Sequence, residues 1–207
     1  IKFMEINIRK KNFEKVFDET YYKDFKKIDR NFLIKKILDT LIKESLKAPD
    51  NEILNKIIHS LNSYPYSKDY KENFKITDYE LMEILRIEPK NYLRYFTYRY
   101  KYKIYPLLKL TDIFPPCIQI EPTSICNFRC IMCYQSDKSF SSLNEGFMGS
   151  IKLDTFKKVI DEIEGHIEAV TLASRGEPTL NKLLPEFLKY CGNKFLALKI
   201  NTNASVL

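Results

Sequence analysis

The stretch Glu121-Pro-Thr-Ser-Ile-Cys-Asn-Phe-Arg-Cys-Ile-Met-Cys133 contains three of the five cysteines of this 207-residue chain. Cys126, Cys130 and Cys133 are close enough in sequence for their three thiolates to bind one inorganic centre. A structural zinc site or a simple electron-transfer cluster normally has four protein ligands, drawn from cysteine and histidine. Three ligands leave one coordination position open for another molecule. The spacing therefore indicates a metal centre with an exchangeable position, which is typical of an enzyme.

Strands and helices alternate on the C-terminal side of Pro115-Pro116. Paired prolines end helices and favour an extended chain, so they mark a boundary. The apolar pattern beyond them predicts strand 117–121, a helix capped by Asp154 and stopped by Gly165, strand 167–173, helix 180–190 and strand 195–200. Such a series forms a parallel sheet with right-handed crossovers. We expect residues 115–207 to have an α/β fold.

Each predicted strand is followed by a polar segment. These segments are the cysteine stretch, Ser174-Arg-Gly-Glu-Pro178 and Asn201-Thr-Asn-Ala204. Ligands bind at the carboxyl ends of strands in parallel α/β folds, so the three segments are expected to meet at one rim. Gly176 permits a close backbone approach to a ligand, and Pro178 fixes the turn. An ordinary turn and an ordinary strand end explain the last two segments as well.

The Cys126-x-x-x-Cys130-x-x-Cys133 spacing resembles the signature loop of the radical S-adenosylmethionine (radical SAM) superfamily. The resemblance implies that the three cysteines hold a 4Fe–4S cluster, which also binds S-adenosylmethionine. It further implies reductive cleavage of S-adenosylmethionine to a 5′-deoxyadenosyl radical, which abstracts hydrogen from a substrate. The implied fold is a partial parallel (β/α) barrel of three βα units, preceded by a helical N-terminal region. No catalytic side chain is implied beyond the cluster.

The other two polar segments are similar to further parts of the same family. Ser174–Pro178 resembles a Gly-Gly-Glu-Pro motif that meets the amino group of the cofactor's methionine, with Arg175 in place of the first glycine. The segment 201–204 resembles a Thr-Asn-Gly segment near the cofactor, with Ala204 in place of glycine. Met132 matches a position whose backbone lies against the adenine. The residues implied to bind the cofactor are Met132, Gly176, Glu177, Pro178, Asn201, Thr202 and Asn203.

Two other interpretations of the cysteines stay open. One is a zinc-binding interaction module completed by His166, Cys117 or Cys191, although no second CxxC or HxxxH pair is present. Such a module could contact nucleic acid through residues 92–105, where aromatic residues are interleaved with Arg and Lys. For that stretch, the simpler interpretation is an amphipathic element whose tyrosines face the protein body. The other interpretation of the cysteines is an inactive remnant of an enzyme.

Residues 1–110 form a predicted helical region of unknown role. Two stretches with apolar residues at helical spacing end near Pro49 and before Pro65. A third helix is predicted to start at Thr77, with Glu80 completing a capping box. None of these helices carries residues with a catalytic spacing.

The net charge of +7 is concentrated in the N-terminal region. Residues 1–110 have a net charge of +8, whereas residues 111–207 have a net charge of −1. The positive surface therefore lies outside the cysteine segment, and nucleic acid is not favoured as a partner. No run approaches the roughly 18 apolar residues of a membrane span, and no signal peptide opens the sequence. Since the cysteines have metal-type rather than disulfide-type spacing, we expect a cytoplasmic protein.

The predicted strands are fewer than the six βα units of a complete radical SAM core. Because the chain also begins with Ile1 and stops after Leu207, we expect a fragment whose own activity is not implied. The sequence 174–179 is similar to members that carry a further SPASM-type iron–sulfur domain and modify peptides, proteins or sugars. The resemblance also implies an external flavodoxin- or ferredoxin-like electron donor and an unidentified substrate.

Overall fold

A computed structural model of the chain describes residues 28–64 and 74–206. Residues 1–27 and 65–73 of the predicted helical region therefore lie outside the described residues, and so does the C-terminal leucine. The second helix, which is predicted to end before Pro65, ends at Asn62 within the described residues and so confirms that prediction. The remaining predictions concern residues that the structure describes.

The described residues form two compact units, which divide between Lys109 and Leu110. The N-terminal unit is helical, as the apolar spacing predicts. Its helices are α1 Arg30–Ser45, α2 Glu52–Asn62, α3 Asp78–Ile84 and α4 Tyr92–Leu108. The side chains of Asp29 and Asn51 accept hydrogen bonds from the first turns of α1 and α2 and so cap them. None of the helices that the structure describes is long and apolar enough to cross a membrane.

Glu80 is a buried charge in the N-terminal unit. It completes the predicted capping box, because Thr77 N donates to Glu80 Oε2 at 2.7 Å and the Thr77 hydroxyl accepts from Glu80 N. Arg99 Nε donates to Oε1 at 2.6 Å, and Lys103 Nζ donates to Oε2 at 2.5 Å. Burial alone would raise the pKa of Glu80, but the bonds from Lys103, Thr77 and Arg99 hold that pKa below its ordinary value. Two cations of the stretch 92–105 are thus committed to a protein carboxylate.

The aromatic residues of the stretch 92–105 lie in α4 and mostly face the interior. Tyr102 is 47% exposed, but five aromatic side chains are at most 8% exposed: Tyr92, Tyr95, Phe96, Tyr98 and Tyr100. Stacking on nucleic-acid bases requires accessible rings. The burial therefore favours the amphipathic-helix interpretation of this stretch.

The C-terminal unit contains a parallel sheet of three strands within the described residues, in the order β1-β2-β3. The elements are β1 Cys117–Ile120, α5 Lys138–Ser141, α6 Leu153–Ile163, β2 Ala169–Leu172, α7 Leu184–Cys191 and β3 Ala197–Ile200. Ile120 pairs with Leu172, and Leu172 pairs with Ile200, so the three strands end level with one another. The predicted parallel α/β arrangement is confirmed, and its closure into part of a barrel stays a prediction.

The core of this unit joins α6 and α7 to the sheet. Phe156 of α6 and Phe187 of α7 are fully buried, and their rings stack with centroids 4.2 Å apart. Val170 and Leu172 of the central strand are buried in the same cluster. Because this apolar cluster fixes the helices on the sheet, it also fixes the positions of the strand ends.

The start of α6 differs from the prediction. Lys152 has the extended backbone of the cap position, without a side-chain cap, and Asp154 lies in the first turn. A carboxylate in the first turn still interacts favourably with the positive end of the helix dipole. Gly165 has φ +80°, in the left-handed region, and confirms the predicted stop after Ile163.

Candidate functional site

The N-terminal stem of the cysteine loop is fixed to a neighbouring segment. Thr123 forms an antiparallel bridge with Ser150, whose hydroxyl donates to Thr123 Oγ1 at 2.8 Å. Ser124 N donates to Gly149 O at 2.8 Å, and Gly149 N donates to Ser124 Oγ at 2.7 Å. The chain therefore leaves β1 in a defined direction before it reaches the first cysteine.

Gln135 joins the two ends of the cysteine loop. Its side chain is 1% exposed, and its Nε2 donates to Ser124 O at 2.5 Å. Among the described residues, its Oε1 is a buried side-chain oxygen without a hydrogen-bond partner. A buried acceptor without a partner costs free energy, so this oxygen is energetically unfavourable as it stands. Sequence reasoning missed Gln135, and its position two residues after Cys133 was the available signal.

The three cysteines of the loop between these anchors differ in exposure. Cys130 is exposed, and Cys126 and Cys133 are partly buried. Ile131 and Met132 are 94% and 84% exposed, respectively, so the loop also presents apolar side chains. The predicted contact of Met132 with adenine stays a prediction.

The three cysteine thiols are chemically suitable ligands for an iron–sulfur cluster. The three thiols are free of disulfide bonds, and Phe128 N donates to Cys126 Sγ at 3.4 Å. Thiolates are the usual cluster ligands, and hydrogen bonds to their sulfurs are typical of such sites. Within the residues that the structure describes, no group of three or more His, Cys, Asp or Glu side chains is arranged to hold a metal ion.

The residues proposed to complete a zinc site lie away from the cysteine loop. Cys117 pairs with Ala169 at the amino ends of β1 and β2, and four-residue strands separate that end from the rim by about 10 Å. His166 precedes β2 and stacks on Phe114 with ring centroids 4.2 Å apart. Cys191 is 1% exposed, and burial raises the pKa of its thiol to about 11. The geometry therefore does not favour a zinc site built with these residues.

The turn after β2 lies against the stem of the cysteine loop. A Cβ atom on Gly176 would be 1.7 Å from Thr123 O and 2.9 Å from Ile125 O, so a larger residue would collide with the backbone. Glu177 N donates to Ile125 O at 2.9 Å and joins the two segments. The close approach expected of Gly176 is thus made to protein backbone, and its contact with a cofactor stays a prediction.

The carboxylate of Glu177 holds the ends of β2 and β3 together. It is 2% exposed, and Oε1 accepts from Thr179 N at 3.0 Å, from Thr179 Oγ1 at 2.6 Å and from Thr202 Oγ1 at 2.5 Å. Oε2 accepts from Asn203 N at 2.7 Å. Burial alone would raise the pKa of Glu177, but these four bonds hold that pKa below its ordinary value. Pro178 follows at the start of a short 3₁₀ turn and is buried.

The turn after β3 reaches the cysteine loop through Asn203. Its Nδ2 donates to Asn127 Oδ1 at 3.0 Å and lies 3.9 Å from Cys126 Sγ. Asn201 is exposed, and its backbone N donates to Leu172 O at 3.3 Å. Ala204 has φ +57°, the left-handed region that glycine adopts more easily. This backbone conformation explains why a glycine would suit the position of Ala204.

Arg175 anchors the turn after β2 to the end of β1. Its backbone N donates to Glu121 Oε2 at 2.9 Å, and its Nη2 donates to Glu121 Oε1 at 3.0 Å. Burial alone would raise the pKa of Glu121, but the bonds from Arg175 hold that pKa below its ordinary value. Sequence reasoning missed this pair, although both residues belong to segments that it selected. The arginine that replaces the first glycine of the motif therefore has a defined partner.

Part of the chain is similar in sequence to known proteins. It is 31% identical over 121 residues to Fe-coproporphyrin III synthase from Methanosarcina barkeri, a match that covers 58% of this chain and 29% of that protein. It is 28% identical over 92 residues to the tungsten-containing aldehyde ferredoxin oxidoreductase cofactor-modifying protein from Pyrococcus furiosus, covering 44% of this chain and 24% of that protein. The chain therefore spans less than a third of the length of these curated relatives.

No protein-family model matches the chain, and no solved structure is significantly similar to it. The two curated relatives are radical SAM enzymes. Over part of its length, the chain is thus a distant homologue of enzymes of that family.

Proposed function

We propose that this chain contains the cluster-binding part of a radical SAM enzyme. Cys126, Cys130 and Cys133 would hold a 4Fe–4S cluster, and the neighbouring strand-end loops would bind S-adenosylmethionine. When bound, these groups supply a reductive cleavage that gives a 5′-deoxyadenosyl radical for hydrogen abstraction from the substrate. The observation that carries the proposal is the hydrogen-bonded meeting of three strand-end loops, one of which bears the three free thiols.

The protein residues have binding and positioning roles in this proposal. Gly176 and Glu177 hold the turn after β2 against the cysteine loop, and Glu177 also holds the turn after β3. Because its carboxylate already accepts four protein donors, Glu177 is proposed to shape the cofactor site rather than to transfer protons. The residues proposed to line the cofactor are Met132, Gly176, Glu177, Pro178, Asn201, Thr202 and Asn203.

The buried Oε1 of Gln135 adds support from outside the sequence motifs. It is an unsatisfied acceptor directly beside the cysteine loop, where a bound cofactor would bring amino and hydroxyl donors. A hydrogen bond donated to this oxygen would offset the free-energy cost of its burial. Gln135 is therefore included among the residues proposed to form the cofactor site.

The remaining parts of the proposal are the electron donor, the compartment and the substrate. A flavodoxin- or ferredoxin-like protein would reduce the cluster, and a reducing cytoplasm suits the five free thiols. The motif resemblance suggests a SPASM-type enzyme that acts on peptides, proteins or sugars. The names of the two relatives refer instead to an iron coproporphyrin and to the cofactor of a tungsten-containing oxidoreductase.

Anaerobic reconstitution tests the cluster and the cofactor separately. The purified chain is incubated with iron and sulfide, its metal and sulfide contents are measured, and S-adenosylmethionine and dithionite are then added. We expect about four irons per chain and formation of 5′-deoxyadenosine. A colourless protein that holds one zinc would overturn the proposal, and a cluster-loaded protein that leaves S-adenosylmethionine intact would overturn its cofactor half.

Two cysteine variants assign the ligands. Cys130→Ala should lose both the bound iron and the cleavage, because it removes one of three ligands. Cys117→Ala is the matched control, since Cys117 is a free cysteine at the opposite end of β1. It should retain the iron content of the wild type. Equal iron contents in the two variants would contradict the ligand assignment.

A further inference from the structure

The side chain of Asn203 has a defined orientation. Ser205 N donates to Asn203 Oδ1 at 3.0 Å, so the amide nitrogen points in the other direction. That nitrogen donates to Asn127 Oδ1 at 3.0 Å and lies 3.9 Å from Cys126 Sγ, within reach of a hydrogen bond to sulfur. One hydrogen of the amide is thus directed to the side chain of Asn127 in the cysteine loop, and the other is available to the sulfur of Cys126.

The turn that carries Asn203 is itself held in place. Asn203 N donates to Glu177 Oε2 at 2.7 Å, and Thr202 Oγ1 donates to Glu177 Oε1 at 2.5 Å. Ala204 N donates to Thr202 Oγ1 at 3.0 Å. Because the carboxylate of Glu177 is buried, these bonds are protected from competition with water. The amide of Asn203 is therefore presented to Cys126 from a fixed support.

We propose that Asn203 is a positioning residue for Cys126 and that its amide raises the midpoint potential of the cluster. The inference rests on the proposed function, because it assumes that Cys126 is a cluster ligand. It assigns the side-chain donors of Asn203 to the cysteine loop instead of to S-adenosylmethionine. The turn after β3 thus acts on the electron-accepting centre through the first cysteine.

The direction of the effect follows from charge. Reduction adds one electron to the cluster, and part of the added negative charge lies on the ligand sulfurs. A donor N–H near Cys126 Sγ stabilises the reduced form more than the oxidised form, and hydrogen bonds to the sulfurs are a recognised control of cluster potential. Loss of the amide should therefore lower the midpoint potential and make reduction harder.

The test is a redox titration of the reconstituted chain, with the reduced cluster quantified by electron paramagnetic resonance. Two variants remove the donor: Asn203→Ala removes the whole amide, and Asn203→Asp keeps an acceptor for Ser205 N. Asn127→Ala is the control, because it removes the Asn203–Asn127 bond, together with the bond from Asn127 Nδ2 to Ser205 Oγ, and leaves the donor to Cys126 in place. Iron content and far-ultraviolet circular dichroism are measured for each variant.

We expect both Asn203 variants to shift the midpoint potential to lower values, with the larger shift in Asn203→Asp because of its added negative charge. Asn127→Ala should stay close to the wild type. Equal potentials in all four proteins, or an equal shift in Asn127→Ala, would overturn the inference and leave the proposed function standing. A wild type that binds no cluster would overturn both.

Discussion

Replacing Gly176 by alanine should separate the turn after β2 from the stem of the cysteine loop. The new Cβ would be 1.7 Å from Thr123 O, whereas real Cβ contacts are essentially never under 3.0 Å. The obstructing atoms belong to backbone that is fixed by the Thr123–Ser150 bridge, so a side-chain rotation cannot relieve the contact. Overpacking costs about 1–3 kcal/mol, and loss of the bond from Glu177 N to Ile125 O costs about 1 kcal/mol. We expect a total loss of about 2–4 kcal/mol.

Urea unfolding followed by circular dichroism measures this loss as a change in the free energy of unfolding. Gly149→Ala is the control, because a Cβ atom at Gly149 would meet no atom within 4 Å. Its effect should be within about 0.5 kcal/mol. Because Gly176→Ala also moves Glu177, it should lower iron retention by the reconstituted protein. Equal stability of the two variants would refute the reasoning that the turn is packed on this backbone.

Two further predictions concern buried carboxylates. Because the folded pKa of Glu177 is lowered, its contribution to stability is complete above the ordinary pKa of about 4.3 and is lost as the pH falls through the folded pKa. Glu177→Gln should therefore be less stable than the wild type at pH 7 in urea unfolding, and the difference should shrink below about pH 4; a constant difference would contradict this. Glu80→Ala should destabilise the N-terminal unit by about 3 kcal/mol, because it leaves Arg99 and Lys103 without their buried partner. Glu44→Ala, which removes an exposed ion pair with Lys47, should cost less than about 1 kcal/mol in the same urea unfolding measurement. Similar losses in both variants would argue against a stabilising buried ion cluster around Glu80.

Local sequence signals predicted the elements of this chain well. The capping box of Thr77 and Glu80, the stop at Gly165 and the parallel order of the strands are all confirmed. Such features depend on a few neighbouring residues or on apolar spacing, which the sequence states directly. The prediction that Asp154 caps its helix was wrong by two positions, because Lys152 occupies the cap position and Asp154 lies in the first turn. Boundaries are decided by small differences in local energy, so they are less certain than the elements.

The contacts within the candidate site could not be read from the sequence. Arg175 bonds to Glu121 and Asn203 lies against Cys126, across separations of 54 and 77 residues, respectively. Each contact depends on how two irregular loops are placed relative to each other, and no local propensity specifies that placement. The unsatisfied oxygen of Gln135 is likewise defined by what surrounds it in space.

The sequence by itself determined the chemistry that this protein can present: three thiols in one loop, each strand followed by a polar turn, and strands that must run parallel. Those properties depend on residue identity and on spacing along the chain. Only the tertiary structure decided which contacts the turns make. Gly176 packs on the backbone of the cysteine loop, and the carboxylate of Glu177 accepts hydrogen bonds from four protein donors. The amide of Asn203 is directed to the cysteine loop. The physical reason is that hydrogen-bond partners and steric contacts are set by distances of a few ångströms in space, and folding alone brings these distant residues that close.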